Sequence, residues 1–185
     1  MSASSHDAGA ALRRHIPDPD LLVRTVASFA THAHSWIHGP QHWQTVAAFC
    51  LMLARQTPGA DEAVALLFGV LHDCLRVDDH RDPHHGRRAG ALARAMHGGL
   101  FHLEPPQLQV LETALSLHVD GLVSADPAIG VCWDADRLHL WRIGVVPDPT
   151  LLSTAAGRAH IAWAEAKVHH WTTWEEVWSL AGVAR

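Results

Sequence analysis

The chain has 185 residues, of which 48% are hydrophobic, so it is long and apolar enough for one compact domain with a sizeable core. Its formal net charge of −5 argues against a general nucleic-acid binder or a membrane-surface binder, because both need a basic face. A small phosphorylated substrate is compatible with this charge, since it needs only a local cationic pocket.

Residues 1–19 are polar and end in two closely spaced prolines, so we expect a flexible N-terminal tail. They lack the apolar segment of a signal peptide, and no stretch of the sequence reaches the length of a transmembrane helix. The cysteines show no CxxC spacing and no evident pairing. We therefore expect reduced thiols in a cytoplasmic protein at Cys50, Cys74 and Cys132.

In the rest of the chain apolar residues recur at helical spacing, and alternating runs of strand type are scarce. Pro40, Pro83 and Pro105 suit first helical turns, where the missing N–H does no harm. The pattern predicts one all-α domain over 20–185, an orthogonal helical bundle. Its predicted helices span residues 20–34, 40–56, 60–74, 83–97, 105–118, 127–142, 148–169 and 173–182.

The most informative position is His72-Asp73, which closes the unbroken apolar run AVALLFGVL over 63–71. An imidazole beside a carboxylate is costly to bury unless the two are paired or bind a metal. The chain has 17 histidines, so only their spacing and context carry information. Three further segments carry histidine or aspartate side chains that can bind a metal, and with His72-Asp73 they predict a metal site: HGPQHW at 38–43, DPHHG at 82–86 and CWDADRL at 132–138.

His42, His72-Asp73 and Asp136 match the ordered motif H…HD…D. The chain thereby resembles the HD-domain superfamily, whose members are all-α, metal-dependent phosphohydrolases. The run ADRLH at 135–139 resembles the segment that holds the last ligand in the hydrolase domain of alarmone synthetase/hydrolases. Over about residues 36–155 the chain also resembles small bacterial HD proteins with the motifs HGPxHW, HDPxHG and CWDADRLD. The resemblance implies an HD-like bundle with Asp136 as the last ligand.

His85 and His118 match the expanded motif H…HD…H…H…D of binuclear members. If both bind, Asp73 bridges two metal ions about 3.5–4 Å apart. His84 competes with His85, and only the glycine that follows His85 favours the latter. The chain departs from the small-protein pattern by an extra arginine before the DP pair and by His139 where aspartate is usual.

Imidazole and carboxylate ligands suit Mn²⁺, Fe²⁺, Ni²⁺, Co²⁺ or Zn²⁺ better than Ca²⁺, with one or two ions per chain. The expected reaction is hydrolysis of a phosphomonoester or phosphodiester, such as a nucleotide, by a metal-activated water. Asp73, Asp134 and Arg76 are the expected catalytic residues, with Asp134 orienting a ligand or accepting a proton. The side chains expected to bind the substrate are His38, Arg76, Arg87, Arg88 and Arg137.

Each of these candidate site residues also has an interpretation without a functional role. A lone histidine can be a surface or core residue, and each arginine can be a surface or ion-pairing residue. Two other functions fit the same ligands, a di-iron oxygenase of the HD type and a binding module with a structural metal. A stripe of Trp171, Trp174 and Trp178 is interpreted as core packing, with a homodimer interface as the alternative.

Overall fold

The structure is a computed structural model that describes residues 5–170 and 172–183. The regular secondary structure of this part is helical, with no strand, which confirms the all-α class. The α-helices are α1 (Ser5–His15), α2 (Pro19–Phe29), α3 (Pro40–Gln56), α4 (Glu62–Leu71), α5 (His85–Met96), α6 (Pro105–Leu117), α7 (Pro127–Leu138), α8 (Ala155–Ala159), α9 (Ile161–Lys167) and α10 (Trp174–Ala181). Short 3-10 helices follow at His118–Asp120, His139–Ile143 and Pro149–Leu151.

The expectation of a flexible tail over 1–19 is corrected by α1 from Ser5 onward, and residues 1–4 lie outside the described residues. Leu12 and Ile16 lie one helical turn apart and are both buried in the core. The backbone N–H of His102 donates to the carbonyl of His15 at 2.8 Å, which fixes the end of this helix. Two apolar positions in a polar stretch were too few to show a helical period in the sequence.

Side-chain caps explain where several helices begin. Asp61 accepts hydrogen bonds from the N–H groups of Ala63 and Val64, and Asp126 caps α7 in the same way. At α10 a capping box joins Thr173 and Glu176.

The predicted helix over 148–169 is divided into a 3-10 helix, α8 and α9. Between the first two, Thr154 starts α8 as its N-cap, and its hydroxyl accepts a hydrogen bond from Gly157 N–H. The predicted helices over 60–74 and 127–142 also end early, at residues 71 and 138. In both places the chain leaves the α-helix at the segment that carries histidines of the candidate site.

The centre of the molecule is the contact between α3 and α4, which bury most of their side chains. The apolar core also takes in side chains from α1 and α10. Trp178 is buried there, and its ring stacks on Trp174 with centroids 5.2 Å apart, in agreement with core packing. Trp171 lies outside the described residues. No helix in the described part is both long and apolar enough to cross a lipid bilayer.

Gly69 lets α4 approach α3 closely. A Cβ atom at this position would lie 2.4 Å from the Cα of Ala47, in a core with no room to yield. We expect Gly69→Ala to lower the free energy of unfolding by about 2–3 kcal/mol, the upper range for overpacking. Chemical denaturation measures this. Gly99→Ala is the matched control, because its nearest neighbour would be 3.7 Å away, and an equal loss in both variants would contradict the close approach.

Candidate metal centre

Side chains from five helix ends converge on one buried point. They belong to the first turn of α3, the residues after α4, the start of α5, the residue after α6 and the last turn of α7: His42, His72, Asp73, His85, His118 and Asp136. The side chain of Asp136 is 25% exposed, whereas those of His42 and His72 are fully buried. Solvent therefore reaches the cluster from the Asp136 side.

The first group of donors consists of His42, His72 and Asp136. The Nε2 atoms of His42 and His72 are 2.9 Å apart. Oδ1 of Asp136 lies 3.3 Å from the first and 3.8 Å from the second. Two nitrogen ligands about 2.0–2.1 Å from a metal and at right angles to each other are about 3 Å apart, so these spacings fit the edges of a coordination shell.

The second group consists of Asp73, His85 and His118. Nε2 of His85 lies 2.9 Å from Nε2 of His118 and 3.0 Å from Oδ1 of Asp73. Oδ1 of Asp73 is also 3.6 Å from Nε2 of His118. These three atoms have the same compact spacing as those of the first group.

Asp73 contacts both groups, because each of its two oxygens faces one of them. Oδ1 faces His85 and His118, while Oδ2 lies 3.4 Å from Nε2 of His42 and 3.8 Å from Nε2 of His72. A carboxylate that presents one oxygen to each of two donor groups can bridge two ions.

The ring orientations support metal binding over hydrogen bonding within the cluster. Nδ1 of His72, His85 and His118 each faces the backbone carbonyl three residues earlier, at 3.2, 2.5 and 2.7 Å. A carbonyl only accepts, so Nδ1 carries the proton of the neutral ring and Nε2 turns its lone pair inward. Two inward lone pairs 2.9 Å apart repel each other, and a cation between them satisfies both.

His42 is oriented differently, by a second imidazole. Its Nδ1 lies 2.9 Å from Nδ1 of His139, and the two rings stack with centroids 5.1 Å apart. Burial, together with the neighbouring His42 and Arg142, lowers the pKa of His139 to about 2, so this ring is neutral. When its Nδ1 accepts the proton of His42 Nδ1, Nε2 of His42 is left free to bind a metal.

Protonation also suits the site. Burial lowers the pKa of His72 to about 3 against the pull of Asp73, which keeps the imidazole neutral. Burial raises the pKa of Asp73, but the surrounding histidines, His72 first, hold it well below its ordinary value. Burial opposes ionisation of Asp136 too, yet the imidazoles of His42 and His72 beside its carboxylate keep its pKa low. Neutral imidazoles and ionised carboxylates are the forms that bind metals.

His118 differs from His72 in its charge preference. Burial lowers its pKa, but the hydrogen bond and the charge of Asp73, together with the charge of Asp136, outweigh burial and leave the pKa raised. A proton on His118 and a metal ion would therefore compete for the same lone pair. Taken together, the donor types and spacings fit divalent transition metals, since imidazole and carboxylate suit them better than Ca²⁺.

His38 and Arg76 lie beside Asp73, close to where the sequence analysis expected them. Nδ1 of His38 is 2.8 Å from Oδ2 of Asp73, and its backbone N–H donates to Ser35 Oγ. Nη1 of Arg76 lies 3.3 Å from both ring nitrogens of His85 and 3.9 Å from Oδ1 of Asp73. Both polar groups can reach a molecule bound at the cluster.

The other three predicted arginines do not come to the cluster. Arg88 donates to the carbonyl of Leu75 and to the carboxylate of Asp82, so it fastens the 76–84 loop to α5. Arg137 donates to two backbone carbonyls at the other side of α7 and lies over the ring of Trp133. Arg87 is exposed on α5. The expected substrate contacts of Arg88 and Arg137 are corrected, because other segments hold their guanidinium groups. The expected contact of Arg87 stays a prediction.

The expectation that Asp134 orients a metal ligand or accepts a proton is also corrected. Its oxygens accept hydrogen bonds from the N–H groups of Ser153 and Thr154, at 2.6 and 2.8 Å, and from the Thr154 hydroxyl at 2.7 Å. These bonds hold the segment before α8 against α7. Residues 134 and 136 are separated by about 200° around a helix, so only one of the two can face the cluster.

Two residues near the cluster were not foreseen. The sequence motifs mark His139 only as a departure from the usual aspartate and do not include Arg142. Arg142 donates from Nε to the carbonyl of Ile37 at 2.8 Å and from Nη1 to that of His139 at 2.9 Å. The sequence offered only their positions: His139 directly follows the DADRL motif, and Arg142 lies about one helical turn after its end.

No protein-family model, curated protein or solved structure matches this chain. Assignment of the site therefore rests on its own geometry. The chain is an all-α protein in which buried histidine and aspartate side chains form groups that can hold a metal ion.

Proposed function

We propose that this chain is a metal-dependent phosphohydrolase of the HD-domain type, acting on a small phosphorylated molecule. The observation that carries the proposal is Asp73, whose two oxygens face two separate groups of donors. This arrangement suits a pair of ions that bind the attacking and leaving oxygens of a displacement at phosphorus. Arg76 beside Asp73 supplies a cation for the substrate's phosphate.

When bound, a divalent metal polarises a phosphoryl oxygen and lowers the pKa of a coordinated water to about 7. The protein's own residues provide orientation. His38 donates to Oδ2 of Asp73 or accepts a proton there, at 2.8 Å, and so controls the direction of the bridging carboxylate. Arg76 can contact a phosphoryl oxygen from the opposite side, while His139 fixes the ring of His42.

A screen of hydrolysis tests this function. The metal-free protein is reloaded separately with Mn²⁺, Fe²⁺, Co²⁺, Ni²⁺ or Zn²⁺, and phosphate or alcohol release from phosphomonoesters and phosphodiesters is measured. We expect turnover with at least one metal and a loss of about 100-fold in kcat/KM in Arg76→Gln, typical for a lost transition-state contact. Bound metal without turnover of any ester would contradict the proposal.

A di-iron oxygenase would need the same donors. Oxygen consumption by the Fe²⁺-loaded protein distinguishes it, since a hydrolase consumes none. Arg76, within 4 Å of the bridging carboxylate, favours an anionic substrate and so phosphoryl chemistry. A structural metal would be indicated if chelation unfolded the protein and no substrate were turned over.

The two-ion arrangement predicts the effect of removing one donor. We expect His118→Ala to lower the metal content from two ions to one per chain, because it leaves only Asp73 and His85 in the second group. Elemental analysis of the purified variant measures this. His84→Ala is the matched control, since His84 is exposed beside His85 and should keep two ions. Two ions in His118→Ala would show that this group is not a metal site.

A further inference from the structure

Arg142 is an arginine near the cluster with no carboxylate partner. It lies in the 3-10 helix after α7 and is half-buried, and two backbone carbonyls hold its Nε and Nη1. Among the described residues its Nη2 makes no hydrogen bond and no ion pair. A guanidinium taken from water without a counter-charge is unfavourable, so its position needs an explanation.

Two hydrogen bonds place Arg142 beside the cluster. Its Nε reaches the carbonyl of Ile37, next to His38, whose ring contacts Asp73. Its Nη1 reaches the carbonyl of His139, whose ring contacts His42. Burial lowers the pKa of Arg142, while the carboxylates of Asp136 and Asp73 raise it and the nearby Arg76 lowers it. Arg142 therefore lies in the field of both carboxylates and of the second arginine. It approaches from the segment after α7, and Arg76 approaches from the segment after α4.

The charge balance shows what these two arginines are suited to. Asp73 and Asp136 carry two negative charges and Arg76 and Arg142 carry two positive charges, so these four charges cancel. Imidazoles that bind a metal are neutral. One divalent ion therefore gives the site a charge of +2, and two ions give +4. A largely buried site of this charge favours an anionic ligand.

We propose that Arg76 and Arg142 form a clamp for a dianionic phosphate group, so that the substrate is a phosphomonoester. This inference rests on the proposed function, since it assumes a metal at the cluster. A monoester phosphate carries about −1.5 to −2 at neutral pH and has three oxygens for hydrogen bonds. A diester carries a single charge and two free oxygens. Two arginines match the former, because together they offer two positive charges and two planar forks to a group with two negative charges and three oxygens.

Binding of inorganic phosphate and dimethyl phosphate to the metal-loaded protein tests the clamp without turnover. Calorimetry is done at about pH 8, above the second phosphate pKa of about 6 for a monoester. We expect phosphate to bind at least about 10-fold more tightly than dimethyl phosphate, and Arg142→Gln to weaken phosphate binding by about 10-fold or more, as for other charge-assisted pairs. Equal binding of both ligands would overturn the proposal.

Two further variants separate the clamp from a structural effect. Arg142→Lys keeps the charge but loses the fork, so we expect an intermediate affinity for phosphate. Arg94→Gln removes an exposed arginine that pairs with Glu112 on α6, and phosphate binding should stay unchanged. Each variant must keep its metal content and helical circular dichroism. Phosphate affinity that is unaltered in a folded, metal-loaded Arg142→Gln or Arg142→Lys would also overturn the clamp.

The outcome for the clamp is separable from that for the hydrolase. Selective phosphate binding that depends on Arg142, in a protein that hydrolyses no ester, would support the clamp and contradict the proposed reaction. Hydrolysis of diesters with no preference for phosphate would support the reaction and contradict the clamp.

Discussion

Asp73→Asn is expected to abolish metal binding and hydrolysis while leaving the fold intact. Asparagine has nearly the same size, so the buried position after α4 stays filled. It cannot present an anionic oxygen to both donor groups, whereas Asp73 faces His42 with one oxygen and His85 with the other. We expect metal affinity to fall by more than about 100-fold, beyond the effect of losing an outer-shell partner.

Calorimetric titration with Mn²⁺ or Zn²⁺ measures this affinity, and circular dichroism checks the helices. Asp148→Asn is the matched control, because Asp148 is an exposed cap of a 3-10 helix remote from the ligand set. It should bind metal like the unaltered protein. Wild-type affinity in a folded Asp73→Asn variant would show that this carboxylate is not a ligand.

Substitutions of the two aspartates of α7, Asp134 and Asp136, are expected to have opposite effects on stability and on metal binding. Asp134→Ala leaves the buried N–H groups of Ser153 and Thr154 without acceptors. Each unsatisfied buried donor costs about 1–3 kcal/mol, so we expect the free energy of unfolding to fall by about 3–5 kcal/mol. Asp136→Ala removes a half-buried ligand instead, and we expect a stability change of less than about 1.5 kcal/mol in the metal-free protein, with weakened metal binding.

Urea denaturation of the metal-free variants gives the stability, and metal titration gives the affinity. We expect opposite results for the two variants. Asp134→Ala should be unstable but able to bind metal below its melting temperature. Asp136→Ala should be stable but deficient in metal binding. If Asp134→Ala lost metal binding without losing stability, its assignment as a structural side chain would be wrong.

The donor set was predictable because each member stands in an ordered motif. His72-Asp73 closes a buried apolar run, and burial forces such a pair to find partners. His42 and Asp136 lie 30 and 63 residues away in sequence, and only the resemblance to an ordered motif linked them to the pair. Packing of α3 and α7 on α4 then brings these positions together.

The surrounding residues were less predictable, because adjacency in sequence does not give the face of a helix. Arg137 directly follows Asp136, yet the 100° turn per residue directs it to a carbonyl on another segment. Arg88 lies three residues after His85 and donates to the carbonyl of Leu75 instead of reaching the cluster. His139 and Arg142 lie in a 3-10 helix, where the angular spacing changes. Contact between His139 and His42 spans 97 residues, and no local pattern reveals it.

Elemental analysis of the purified wild-type protein, after reloading with Mn²⁺, Fe²⁺, Co²⁺, Ni²⁺ or Zn²⁺ and removal of excess metal, tests the central claim most directly. The two donor groups joined by Asp73 predict about two ions per chain, as in other two-ion sites. A protein that retains none of these metals would contradict the account, because the converging lone pairs of its histidines would then have another cause.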